Sequence, residues 1–145
     1  MKFMQKKDDY IIIVGCGRLG ANLANTLSDD NGNVLIMDTT KESFRRLSSD
    51  FGGLSMVGSG TDLSALHNAQ IEKAAAVVAV TNDDNTNIMI VQLAREMFHV
   101  PRVIARLYDP DRESVYQELG IDTICPAVLS AKEVGNLLDH CGKEA

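Results

Sequence analysis

Short, wholly apolar runs alternate with stretches at helical period from one end of this chain to the other. A run that is apolar at every position describes a strand covered on both faces. Such runs lie at Tyr10–Val14, Val34–Asp38, Leu54–Val57, Ala76–Thr81, Val103–Leu107 and Thr123–Cys125. Helical patterns follow them at Leu19–Leu27, Lys41–Asp50, Asp62–Asn68, Asn85–Phe98, Arg112–Leu119 and Ala127–His140. Repetition of this kind predicts an α/β fold, a parallel sheet with helices on both faces. Six strands split three and three predict a Rossmann-like doubly wound sheet of order 3-2-1-4-5-6 in a single domain. The pattern fills residues 10–140, between a polar lead (1–9) and a short tail (141–145), with no repeat, linker or room for a second domain.

Two helices depart from the ordinary. The apolar residues of Asn85–Phe98 cover an arc of roughly 200°, where a surface helix needs only ~100°. Either this helix is sunk deeply against the sheet, or its surplus face meets a second subunit, with Val91 and Phe98 at the edge. The last helix carries Val128, Ala131, Val134 and Leu138 at helical spacing, just past a Pro126 suited to a first turn.

The first strand breaks into Gly15-Cys16-Gly17-Arg18-Leu19-Gly20, a G-x-G-x-x-G between strand and helix. Gly15 permits the tight turn, Gly17 lets a pyrophosphate approach the backbone, and Gly20 lets helix and strand pack closely. The first-turn N–H groups, those of Arg18 and Leu19 among them, and the positive helix end then hold phosphate. Alone the motif is weak, but here an acid stands where such a site needs one. Asp38, followed by Thr39, ends the second strand about 20 residues on, where a carboxylate accepts from both ribose hydroxyls. The same carboxylate repels a 2′-phosphate, so NADP is disfavoured. The competing role for Asp38 is a helix cap.

Ligands of such sheets bind beyond the strand carboxyl ends. Gly58 and Ser59 follow the third strand, where glycine permits close approach to an adenine ring. Thr81, Asn82 and Asp83 follow the fourth, within reach of a ribose or the pyrophosphate. For each, a plain polar turn with a helix cap is the alternative. Arg18 is placed to add charge-assisted contacts to phosphate, or to pair with a surface carboxylate. Arg106 lies in an apolar strand and must be paired, by a ligand, a carboxylate or a subunit boundary.

Composition narrows the partners. The 145 residues carry a net charge of -6 and no basic cluster longer than two residues, which excludes a nucleic-acid stripe. No run approaches the ~18 apolar residues of a spanning helix, and Met1–Asp9 lacks a signal-peptide core. A cytoplasmic protein without direct membrane insertion is expected. Cys16, Cys125 and Cys141 fit reduced thiols, and no zinc spacing links them. No histidine sits beside a cysteine or serine at a strand end, so no catalytic residue and no metal site is assigned. Cys16 reads as a small filler rather than a nucleophile.

The motifs occur together in one family's order. They are Val14–Gly20, Asp38, Gly58 with Thr61-Asp62, Thr81-Asn82-Asp83-Asp84 with Asn87, Ile104-Ala105-Arg106 with Asp109-Pro110, and Gly120-Ile121-Asp122 with Pro126. The chain resembles the TrkA N-terminal domain family, also called RCK or KTN domains, of bacterial Trk and Ktr potassium uptake systems. That resemblance implies a regulatory, non-enzymatic subunit that binds NAD(H), AMP, ADP or ATP. It also implies a homodimer or higher ring, peripheral to the inner membrane face through a potassium transporter partner. In family members that bind adenine nucleotides the arginine at the Arg18 position contacts phosphate. Ser59 and Ala127 stand where the family commonly has acids, and the family's C-terminal ligand-binding subdomain has no counterpart here. From another class, the cofactor-binding half of an NAD-dependent oxidoreductase is the alternative.

Overall fold

In the computed structural model, which describes residues 9–144 and side chains as far as residue 140, every apolar run becomes a strand. These are β1 (Tyr10–Val14), β2 (Asn33–Asp38), β3 (Leu54–Val57), β4 (Ala76–Ala79), β5 (Arg102–Arg106) and β6 (Asp122–Ile124). The helices are α1 (Arg18–Asp29), α2 (Leu63–Asn68), α3 (Asp84–Glu96), α4 (Glu113–Glu118) and α5 (Pro126–Glu144). The expected polar lead, apart from Asp9, and the Cys141 side chain lie outside the described residues.

All strands pair in parallel in the order β3-β2-β1-β4-β5-β6, as the three-and-three division predicts. β1 is central, with Val14 opposite Met37 on one side and Ala79 on the other. Its side chains alternate between two cores. Ile12 and Val14 join Leu35, Met37, Val77 and Ala79 beneath α2 and α3, while Ile13 joins Ile36, Val78 and Ala24 beneath α1. Each fully buried aliphatic chain contributes about 1.5–3 kcal/mol on leaving water. β3 is an edge strand, with Leu54 and Val57 more than half exposed.

Three expectations change. The helix expected over Lys41–Asp50 is a 3-10 helix of six residues, Lys41–Arg46. Local side-chain bonds compete with an α-helix at both its ends. Asp38 Oδ1 takes the Thr40 amide, Asn25 Oδ1 takes the Ser48 amide, and Ser48 Oγ takes the Asp50 amide. The expected fourth strand through Thr81 leaves the ladder after Ala79, because the Thr81 amide donates instead to Asn87 Oδ1 at 2.9 Å.

The surplus face expected on Asn85–Phe98 is inward at Val91, while Met89 and Met97 stand about half exposed. Val91 is 0% exposed, and Ile88, Ile90 and Ala94 join it in the core, so Val91 is no subunit contact. The unpartnered face belongs to α5 instead. Its residues from Ala127 to His140 are all exposed, with Val128, Leu129, Val134, Leu137 and Leu138 between 45% and 67% exposed. Pro126 stands at its first turn, two residues past the end of β6.

The first turn of α1 lies close against the loop that ends β1. A Cβ on Gly20 would lie 1.8 Å from the Gly15 carbonyl oxygen. Gly15 itself has φ +110°, and its missing Cβ would lie 2.8 Å from Val80 backbone atoms. Gly20→Ala is therefore expected to destabilise the domain by at least the ~1–3 kcal/mol of ordinary overpacking. Thermal unfolding checks this, and a native melting temperature would show that the loop can give way.

Candidate functional site

The strand order reverses between β1 and β4, and a cavity of about 340 Å³ opens there at the carboxyl ends of the sheet. That volume lies in the range of small-molecule sites. Gly15, Cys16, Gly17, Asp38 and Thr39 form its first wall, Gly58, Ser59 and Gly60 its end, and Thr81, Asn82 and Arg106 its second wall.

The first wall is built from backbone donors and one carboxylate. The Gly15 amide donates to the Met37 carbonyl at 2.8 Å, which locks the glycine loop to β2. Asp38 Oδ2 accepts from the Cys16 amide at 2.8 Å and Oδ1 from the Thr40 amide at 2.8 Å. Asp38 thus braces both the loop and the following turn, and each oxygen keeps a lone pair for a ligand hydroxyl. No side chain caps α1, and its first turn holds no acid. Its first N–H groups and positive dipole end are left for an anion. A Cβ on Gly17 would meet nothing within 4 Å, so the loop is open to a ligand on that side.

Beyond β3, Ser59 Oγ and Thr61 Oγ1 lie 2.9 Å apart, and Ser59 Oγ accepts from the Thr61 amide at 3.3 Å. Asp62 caps α2 by accepting from the Ser64 amide. Ser59 is therefore held by its own turn while still lining the cavity.

The second wall depends on Asn87, the buried polar side chain among the described residues. Its Oδ1 accepts from the Thr81 amide and hydroxyl at 2.9 and 2.6 Å, and its Nδ2 donates to the Thr81 and Arg106 carbonyls at 3.1 and 2.9 Å. Arg106, expected to need a ligand, a carboxylate or a subunit boundary, finds main-chain carbonyls. Its Nη2 donates to Val80 and Thr81 oxygens at 2.8 and 2.7 Å, and its guanidinium lies 4.9 Å from the Tyr108 ring centroid. Arg106 Nε is buried without a partner.

Four expected residues stand outside the wall. Arg18 opens α1 with its side chain exposed, Leu19 packs toward the α1 core, and Gly20 lies under the loop. Asp83 caps α3, accepting from the Thr86 amide and hydroxyl, and these bonds hold its carboxyl below the usual range. Conversely, Thr40, Ser43, Arg46, Thr86 and Ile90 line the cavity and were not singled out in the sequence. Arg46 reaches the loop because the turn after β2 is 3-10, and no sequence motif announces that.

The cavity offers little acid–base chemistry. Cys16 is 1% exposed, and its thiol donates to the Ser43 carbonyl at 3.3 Å. Burial and the Asp38 charge push that thiol upward, against the opposing pull of Arg46. His67 is not among the cavity's lining residues and is paired with Glu72 on the surface. Among the described residues no group of three or more His, Cys, Asp or Glu could hold a metal ion, and no helix is long and apolar enough to cross a membrane.

With this geometry established, similarity to known proteins bears on it. The pattern of the TrkA-N domain matches residues 11–126. The Trk system potassium uptake protein TrkA of Streptomyces coelicolor is 44% identical over 135 residues, covering 93% of this chain and 60% of that protein. The chain therefore spans only part of the length of this curated relative. The GsuK channel bound to NAD has a TM-score of 0.79 and 26% identity, over 94% of this chain and 24% of that one. GsuK bound to ADP gives 0.77 and 27%, over 92% and 35%. The matched stretch takes in the glycine loop, Asp38, Asn87 and Arg106 together, and the chain belongs to the TrkA-N domain family.

Proposed function

We propose that residues 10–140 form a regulatory domain that binds an adenine nucleotide, NAD(H) or AMP, ADP or ATP, and controls a potassium transport system. The observation that carries the reading is the first wall. An uncapped helix N-terminus on a glycine loop faces the same cavity as the Asp38 carboxylate. Phosphate suits the former and a ribose diol the latter, and an adenine nucleotide carries both groups. The residues present fit the group. Gly17 keeps a side chain out of its path, and the second wall supplies Thr81, Asn82 and Arg106 for the distal part of a dinucleotide.

Relatives support the physiological half of the reading. The Streptomyces coelicolor protein is a Trk potassium uptake protein, and the GsuK channel has been solved with NAD and with ADP. We place the chain on the inner face of a membrane, held there by a transporter partner. Because the cavity is lined by one carboxylate, a buried thiol and no histidine, binding rather than catalysis is its role.

We further propose that the domain acts as a dimer or ring, with α5 at the contact. Its residues Val128, Ala131, Val134 and Leu138 share one exposed stripe, and a stripe of this size marks an interface. A two-fold axis would bring the same stripe from both copies together.

Two measurements check these readings. Asp38→Ala is expected to weaken NAD and AMP by ~1.5–3 kcal/mol, the scale of hydrogen bonds to a charged group. Calorimetric titration of a folded variant with native affinity would remove Asp38 from the site. Leu138→Glu is expected to shift the protein toward monomer in sedimentation while circular dichroism stays native. A native protein that is monomeric at tens of micromolar, by order of magnitude the range of weak dimers, would refute the α5 contact.

A further inference from the structure

Arg46 ends the 3-10 helix Lys41–Arg46, and its place is unusual for a surface arginine. Its Nη1 donates to the Cys16 carbonyl at 3.4 Å, one long bond from a group with five N–H donors. Neither of the ion pairs found among the described residues involves it. It lines the nucleotide cavity in company with Asp38, Thr40 and Ser43, so a cation and two hydroxyls stand beside the carboxylate. Asp38 Oδ2 takes the Cys16 amide and Arg46 Nη1 donates to the Cys16 carbonyl, so both charges stand at the same loop residue.

We propose that Arg46, with the hydroxyls of Thr40 and Ser43, forms a phosphate-accepting corner at the ribose end of the cavity, so that Asp38 alone bars a 2′-phosphorylated adenine dinucleotide. The inference rests on the nucleotide reading above. A 2′-phosphate hangs from the hydroxyl that Asp38 is placed to take, so it must enter the space between Asp38 and Arg46. Sheets of this class that accept it do so with a nearby arginine, and those that refuse it carry the acid. This chain carries both. The acid decides while it is charged, because the phosphate brings close to two negative charges against it. Without the acid, a guanidinium with four spare donors and two hydroxyls remain, a set suited to phosphate.

The test is the ratio of NADP to NAD affinity, read by calorimetry. A general loosening of the fold weakens both ligands and leaves this ratio alone. The native protein should favour NAD. Asp38→Asn, or Asp38→Ser where asparagine disturbs the loop amides, should raise the ratio by about tenfold or more, the scale of a charge-assisted contact. Adding Arg46→Gln should return it by a similar factor. Arg46→Gln with Asp38 in place should lower the ratio below native, a comparison that needs no change at Asp38. A ratio that does not respond to Arg46 in either background overturns the inference, while NAD binding itself still stands. A native protein that binds neither dinucleotide overturns the inference, and one that binds no adenine nucleotide at all overturns the nucleotide reading together with it.

Discussion

Everything in the site follows from how closely α1 approaches β1. The gap between Gly20 and the Gly15 carbonyl has no room for a single carbon, so the first turn of α1 lies directly over the end of β1. The unpaired N–H groups of that turn are thereby set at the carboxyl edge of the sheet, where the strand order reverses. The same approach carries the Cys16 amide to Asp38 on β2, while the turn at Gly15 lets Val80, just past β4, come within contact. Three strand ends converge on one loop because two residues lack side chains.

The opposite wall is held by polar bonds rather than by glycine. Asn87 spends all its hydrogen-bonding capacity on Thr81 and the Arg106 carbonyl, and Arg106 turns back to the Val80 and Thr81 carbonyls. The Asn87 amide is fully satisfied, and a satisfied buried polar group of this kind rigidifies its surroundings. The chain as a whole is acidic, at -6, yet both cavity-lining arginines, Arg46 and Arg106, face the space between these walls. Local positive charge in an acidic protein draws an anion to one place rather than to the whole surface.

Much of this was legible in the chain, and the failures share a cause. Strands buried on both faces announce themselves as unbroken apolar runs, so the sheet and its order were readable, as were the glycine loop and Asp38. The 3-10 turn was not, because its apolar spacing suits a helix while Asp38, Asn25 and Ser48 capture the amides at its ends. With the turn misread, Arg46 had no place. Periodicity also shows which residues share a face without showing what covers it. Hence Val91 on α3 was offered to a partner where its own sheet covers it, and the stripe on α5 was read for its spacing without its exposure. Asn87 was visible only as part of a family pattern, since one asparagine in a helix has no spacing signal.

The distance from the cavity to the exposed helix is short. Arg106 forms part of the second wall, pairs in register with Ile124 of β6, and β6 leads within two residues to Pro126 of α5. Under the regulatory reading, a nucleotide moves α5 only as far as it binds one placement of β5 and β6 more tightly than another. Contacts that are the same in both placements add affinity and no signal. Asp38 is such a contact, because backbone amides fix it to the centre of the sheet. Arg106 is different. Its Nε has no partner in this arrangement, and its strand is one removed from the edge that bears α5. Under that reading the end of the cavity beside Asp38 holds the ligand, and the end beside β5 is where holding it would reach α5.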